Sequence, residues 1–365
     1  MLTFVGRKRE LQKLHDLSSS KQANLVVING RRRIGKSRLV CEFAKDKRFL
    51  SFTGLAPIGN VDGQAQLDTF ADRLSENFEM PLEKFTNWTH AFMYLSKHLT
   101  NEPTVILFDE ISWMGDQDPT FIPKLKNWWD LVLVQYPNLV LVLCGSVSTW
   151  IEKNIINSTA LFGRINLQIT LEEVSLSESA TILRQLGFKG STEDIFKILA
   201  VTGGVPWYLE QISAHALADD NIRRLCFEED GFFTLEFDKI FHDLFNDHGS
   251  MYKKIVRILA NGMKDLSEIR NALKGGMQPE SLDDLMQALI AAGYVTQHFK
   301  TERISKQRLY RLSNNYLRFF LKYIEPNLSK IQQGAFQDTS LQAMPAWDTI
   351  MGLQVEKLLL NNRSI

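Results

Sequence analysis

Cysteine is scarce in this 365-residue chain: Cys41, Cys144 and Cys226 are its three, odd in number and far apart, with no C-x-x-C. That excludes a disulfide framework, and the three are expected as buried thiols in a reducing compartment. An excess of one charge is also lacking. Lys plus Arg and Asp plus Glu both number 42, so neither a strongly basic nucleic-acid binder nor an acidic tail is indicated overall. No long apolar run is present. The most hydrophobic window, Leu131 to Val147, is interrupted by Gln135, Pro137 and Asn138, and fits two short buried segments better than a membrane span. The first nine residues carry no signal-type apolar core. A soluble cytoplasmic protein without membrane contact is expected. Seven histidines form no H-E-x-x-H, His242 and His248 stand too far apart to share a helix face, and no G-x-S-x-G occurs. What remains is ordinary globular material, 44% apolar and 23% charged, long enough for two or three domains.

One stretch is far from ordinary. Gly30-Arg31-Arg32-Arg33-Ile34-Gly35-Lys36-Ser37 fits the phosphate-binding pattern G-x-x-x-x-G-K-[ST] at every fixed position. The apolar run Leu25–Ile28 before it reads as a buried strand, and Ser37 to about Ala44 reads as a helix. In that context the glycines let backbone N–H groups turn around an anion, Lys36 reaches the β- and γ-phosphates, and the Ser37 hydroxyl suits Mg2+. Residues 30–37, with Arg38 next in line, are the expected phosphate-binding set. Of Arg31, Arg32 and Arg33, at least two are expected as solvated loop residues. The site also needs a carboxylate at the end of a neighbouring strand. Val105-Ile106-Leu107-Phe108-Asp109-Glu110 supplies it, with Asp109 as the metal-orienting residue and Glu110 as the group that polarises an attacking water.

Along the chain, strands are expected at 25–28, 49–52, 105–108, 140–143 and 165–169. Helices are expected at 7–17, 70–78, 88–99 and 121–134, and residues 56–66 read as a loop. This alternation predicts an α/β three-layer parallel sheet over 1–175. The pattern then turns helical. A lid is expected over 176–245, three short helices and a hairpin (a winged-helix outline) over 246–325, and a helical extension over 326–365. Gly203-Gly204 should end one lid helix, with Pro206 in the first turn of the next.

In this order the motifs resemble the archaeal-type P-loop ATPases of the STAND/AAA+ group, which also occur in bacteria. Phe4-Val5-Gly6-Arg7-Lys8-Arg9-Glu10-Leu11 resembles that family's N-terminal box, which implies Val5 and Gly6 near the adenine. Residues 30–37 resemble its Walker A and 107–110 its Walker B. Leu143-Cys144-Gly145-Ser146 resembles the strand that carries a sensor-1 polar residue, Ser146. Leu161-Phe162-Gly163-Arg164 resembles its G-R step; Arg164 there could stabilise charge on the γ-phosphate, within the chain or from a neighbouring subunit, or be a plain surface arginine. Gly203-Gly204-Val205-Pro206 resembles the motif that contacts the base from the lid, and Leu312–Phe320 resembles the segment after the family's winged helix. Residues 347–361 are similar to the opening helix of a nuclease-like domain, here a remnant: no downstream Asp or Glu-x-Lys pair follows, so nuclease activity is not expected.

The resemblance implies ATP and Mg2+ as ligands and hydrolysis to ADP, with Lys36, Glu110 and Arg164 as catalytic groups. A slow ATPase used as a conformational switch is the leading expectation. A ring-forming motor or loader on nucleic acid and a non-hydrolysing scaffold are the rivals, and a homo-oligomer is compatible with each. The third winged-helix helix opens on Glu280, Asp283 and Asp284, which opposes phosphate contact. The wing is basic from Lys300 to Arg311, through Arg303, Lys306 and Arg308, and Arg318 and Lys322 follow. It could hold DNA, but a protein partner through the winged helix or the C-terminus is the favoured alternative. No N-K-x-D motif for guanine is present.

Overall fold

The computed structural model describes residues 3–362 apart from 57–60, 147–148, 246–248, 274–281, 303–304 and 338. Two compact units divide it: residues 7–171 form one, and residues 1–6 with 172–365 form the other.

The first unit is a five-stranded parallel sheet in the order β2-β3-β4-β1-β5. Its strands are β1 (Asn24–Gly30), β2 (Arg48–Thr53), β3 (Thr104–Asp109), β4 (Leu139–Ser146) and β5 (Ile165–Leu171). Every residue of β1 and of β4 is buried, as a strand covered on both faces requires. β5 is an edge strand and shows the other pattern, with Asn166, Gln168 and Thr170 exposed. The register is regular: Asn24 to Gly30 pair in step with Val140 to Ser146, and Val105 to Phe108 with Val140 to Leu143. The C-terminal ends of β1, β3 and β4 therefore finish side by side.

Helices α1 (Lys8–Ser18), α2 (Lys36–Phe43), α3 (Gly63–Phe78), α4 (Trp88–Ser96), α5 (Ile111–Gly115) and α6 (Phe121–Leu131) connect or flank these strands, and a short helical stretch, Thr149–Ile151 continued by a π turn at Glu152–Ile156, lies between β4 and β5. An aromatic core joins them to the sheet. Phe92 stacks on Trp128 at 4.7 Å and Phe52 on Phe70 at 4.4 Å, with Trp88 and Phe108 buried beside them. Truncating any one of these rings to alanine is expected to cost about 3–5 kcal/mol.

Helix α3 begins well before the expected Phe70, inside the stretch read as a loop. The Asp62 carboxylate caps it by accepting from the Ala65 N–H at 2.9 Å. The polar Gln64–Gln66 opening hid it. Gln66 is nonetheless buried, because its amide pairs with both backbone groups of Leu55. α6 is shorter than expected, and a short 3-10 turn at Leu133–Gln135 takes up its end. Cys144 and Cys226 are buried, whereas Cys41 is exposed on the outer side of α2, against expectation.

The second unit is helical: α7 (Leu176–Gln185), α8 (Thr192–Thr202), α9 (Pro206–Leu209), α10 (Ala218–Cys226), α11 (Phe232–Phe245), α12 (Gly249–Ala260), α13 (Leu266–Ala272) and α14 (Leu282–Ala291). Ser175, Ser191 and Asp265 open three of these with capping boxes. A hairpin follows, β6 (Val295–Glu302) with β7 (Ser305–Leu312), which extends the strands the sequence suggests at 293–296 and 308–312. Three helices and a hairpin are the order of elements in a winged helix. After it come α15 (Asn315–Phe319) and the C-terminal α16 (Trp347–Asn361). Trp347, Met351 and Leu358 of α16 are buried in the same apolar cluster as the lid and hairpin residues. Gln354, fully buried, donates to the Asn315 carbonyl at 2.7 Å and accepts from Arg318 at 3.0 Å. The expected breaks near 245 and 325 thus lie within one core. Arg303, His248 and Glu280 fall outside the described residues, as do the side chains of Lys300, Lys306 and His242.

Candidate nucleotide site

The phosphate loop leaves the C-terminal end of β1 and enters α2. Gly35, with φ +91°, makes the last bend, and Arg33 also takes a left-handed conformation at φ +68°. Lys36 starts α2 and is 6% exposed. Its ammonium donates to the carbonyls of Gly30 and Arg31, each at 3.2 Å, and lies 3.5 Å from the Ser146 hydroxyl. A lysine buried to this degree is held by its loop, with its charge kept at the loop's mouth.

β4 lies between β1 and β3 in the sheet, so its last residue, Ser146, comes between the loop and the acidic strand end. The Ser146 hydroxyl is 3.5 Å from Glu110 Oε1 as well as from Lys36. Glu110 has φ +48°, a conformation unusual for a non-glycine residue, and Asp109 Oδ1 accepts its N–H at 3.0 Å. Backbone strain of this kind costs on the order of 1 kcal/mol and is concentrated at functional sites. Here it reverses the chain between β3 and α5.

The Ser37 hydroxyl donates to Asp109 Oδ2 at 2.5 Å. Two hard oxygen donors on facing elements suit Mg2+, which takes one or two protein oxygens and completes its shell with water and phosphate. Among the described residues no group of three or more His, Cys, Asp or Glu could hold a metal by itself. Ser37 and Asp109 would hold the ion, and it would supply charge neutralisation at the phosphates.

Beneath the site lies Cys144. Burial pushes its thiol well above the ordinary value, and the Asp109 carboxylate adds to that. Arg31 is buried at 6% exposure, whereas Arg32, over the Trp113 indole at 5.3 Å, and Arg33 both stay partly exposed. Arg38 is exposed on α2. Sequence reasoning missed two supports. The buried Arg7 guanidinium donates to the Ile34 carbonyl of the loop at 3.3 Å, and Trp113 on α5 carries Arg32. Position in the N-terminal box was the only signal for Arg7.

Arg164 requires a correction. It precedes β5, and in the parallel register Leu25 pairs with Ile165 while Gly30 pairs with Leu171. Six strand residues, about 20 Å, separate Arg164 from the phosphate loop. Its guanidinium forms a two-pronged pair with Asp130, at 2.7 and 2.8 Å. The pairing holds the Asp130 carboxyl down at about 2. A role at the γ-phosphate of its own chain does not fit this placement, which leaves a role in a neighbouring subunit's site or a surface arginine held by its ion pair with Asp130. Val5, Gly6 and Pro206 belong to the second unit, where Pro206 opens α9.

Strand order, loop and acidic strand end define a P-loop nucleotide-binding ATPase core. The model of a family described as an ATPase domain predominantly from Archaea matches residues 4–212, and the chain belongs to that family. An uncharacterized protein of Methanocaldococcus jannaschii is 26% identical over 359 residues, covering 97% of this chain and 76% of its own. An uncharacterized ATP-binding protein of the same organism is 40% identical over 48 residues, 13% of this chain and 81% of its own. Among solved structures, the Walker-type ATPase of Pyrococcus abyssi superposes with a TM-score of 0.60 at 17% identity, covering 87% of this chain and 96% of that one. The Aeropyrum pernix ORC2 protein, in its ADPNP–ADP complexes, superposes at 0.53 with 13% identity, covering 98% and 97%. At such identities the likeness is one of fold. No described helix is long and apolar enough to cross a membrane.

Proposed function

We propose that this protein hydrolyses ATP slowly with Mg2+ and uses the nucleotide cycle as a conformational switch. The observation that carries the reading is the Ser146 hydroxyl, 3.5 Å from both Lys36 and Glu110. One neutral group touches both the cation that meets the β- and γ-phosphates and the carboxylate that orients the attacking water. Loss of the γ-phosphate would therefore be felt by both. In hydrolysis, Lys36 and the loop N–H groups neutralise the phosphates, and Glu110 accepts a hydrogen bond from water aligned with the γ-phosphorus. Little more is asked of a protein in phosphoryl transfer than such positioning and charge. The phosphate-site roles of Gly30, Arg31, Arg32, Arg33, Ile34 and Gly35 belong to this reading. So do those of Val5, Gly6 and Pro206 at the base, which rest on family resemblance.

A protein partner is favoured over DNA by one further observation. Arg308 of the hairpin lies 3.8 Å from Asp283 at the start of α14, so an acidic helix start partly neutralises the wing. The test is phosphate release from Mg-ATP by the wild-type protein and by Glu110→Gln, with and without duplex DNA. Turnover lost in Glu110→Gln and indifferent to DNA is expected. Stimulation by DNA would favour a motor or loader, and tight ATP binding with no turnover in the wild type would refute hydrolysis.

A further inference from the structure

Three distant pieces of the second unit meet at one carboxylate. Glu173 follows the exit of the chain from β5. Its Oε2 accepts the Gly204 N–H at 3.0 Å, and the next residue's N–H, Val174, donates to the Gly204 carbonyl at 2.8 Å. Both backbone groups of Gly204 are thus held by residues 173–174. The approach is so close that a side chain at Gly204 would collide with the Val174 carbonyl oxygen. The other carboxylate oxygen, Oε1, accepts from Asn314 Nδ2 at 3.4 Å.

Asn314 comes directly after the hairpin strand β7. It is 2% exposed, and its own side-chain oxygen caps α15 by accepting the Leu317 N–H at 2.9 Å. Its neighbour Asn315, 4% exposed, donates to the Leu199 carbonyl at 3.2 Å. That same carbonyl accepts the Gly203 N–H at 2.9 Å, where α8 ends. The exit of the hairpin is therefore bolted at two points to the Gly203–Gly204 turn. Nothing in packing alone requires two buried asparagines and a glutamate here. The two asparagines are buried and Glu173 is half-buried, and polar groups paired in this way define one geometry rather than add stability.

We propose that Glu173, Asn314 and Asn315 form a latch that transmits the nucleotide state of the Gly203–Pro206 turn to the β6–β7 hairpin. Glu173 is its positioning residue. The proposal rests on the switch reading given above, and extends it by naming the element that carries the signal. Between two bonded points, a shift of the turn must carry the hairpin exit along or break a buried hydrogen bond.

The two carboxylate arms predict a graded and reversible defect. Glu173→Gln keeps an acceptor for Gly204 but turns a donor toward the donor of Asn314. Asn314→Asp sets two carboxylates face to face while preserving the cap. Glu173→Gln combined with Asn314→Asp restores a donor–acceptor pair across the same gap. Hydrogen exchange of the β6–β7 amides would be followed with and without Mg-ATP, beside the thermal unfolding midpoint of each variant. In the wild type, ATP should change hairpin protection. Each single variant should reduce that change by about fivefold or more, the usual range of an allosteric coupling, and the double variant should recover it. A purely structural role would lower the midpoint and leave the ATP-dependent difference intact, which would overturn the latch alone. Failure of the double variant to recover the difference would also overturn it. Wild-type protein that binds ATP with no change anywhere in the second unit would instead overturn the switch, and the latch with it.

Discussion

Replacing Arg164 by alanine should leave the ATP turnover of the isolated monomer unchanged. The parallel register of β1 and β5 puts about 20 Å of strand between this residue and the phosphate loop. Two unit charges that far apart in water interact by about 0.2 kcal/mol. At physiological salt the Debye length of about 8 Å reduces this to about 0.02 kcal/mol, a change in rate of about 3%. An arginine that touches the γ-phosphate is worth about a thousandfold or more. The two cases differ so widely that a coarse assay decides. Phosphate release would be measured over a protein dilution series, with sedimentation velocity on the same samples. Where the protein sediments as a monomer, Arg164→Ala and wild type should agree. A divergence confined to concentrations at which subunits associate would assign Arg164 to its neighbour's site. A large loss in the monomer would refute the geometric reasoning, because no rearrangement short of unfolding β5 brings the residue to the loop.

The Arg164–Asp130 pair should also shape the acid limb of stability. A carboxyl held at about 2 in the fold against an ordinary 3.8 stabilises the native state fully above the ordinary value, and loses that contribution as pH falls toward 2. Urea midpoints followed downward from about pH 5 should fall less steeply in Arg164→Ala; an identical slope would show the pair to be idle. The difference should be modest, since both side chains are more than a quarter exposed. Gly35→Ala should cost about 1–2 kcal/mol through left-handed strain alone, because a Cβ there meets no atom within 4 Å. Its urea midpoint should drop while the fold is retained, and an unchanged midpoint would contradict the φ of +91°. With a thiol reagent at neutral pH, Cys41 should label in the native protein, whereas Cys144 and Cys226 should wait for unfolding. Burial holds both of these thiols well above their ordinary value. Native labelling of Cys144 would mean that the floor of the site opens.

The sequence by itself determined the chemistry of the site. A phosphate loop needs particular residue types at fixed local spacing, so Gly30 to Ser37 are legible within eight positions, and an apolar strand that ends in Asp109-Glu110 is legible for the same reason. The central strands β1, β3 and β4 were legible too, because a doubly covered strand must be apolar nearly throughout. Helix α3 was not, since its first turn is polar and is held by the Asp62 cap and by the pairing of Gln66 with the Leu55 backbone rather than by apolar periodicity. Only the tertiary structure decided which strand lies between loop and acid, and hence that Ser146 touches both Lys36 and Glu110. It alone placed Arg164 at the opposite end of the sheet from the site and brought Glu173, Gly204 and Asn314 together. Local spacing encodes groups that act within one turn of chain. Contacts across more than a hundred residues depend on strand order and register, and these are set by the burial of the whole sheet rather than by any one segment.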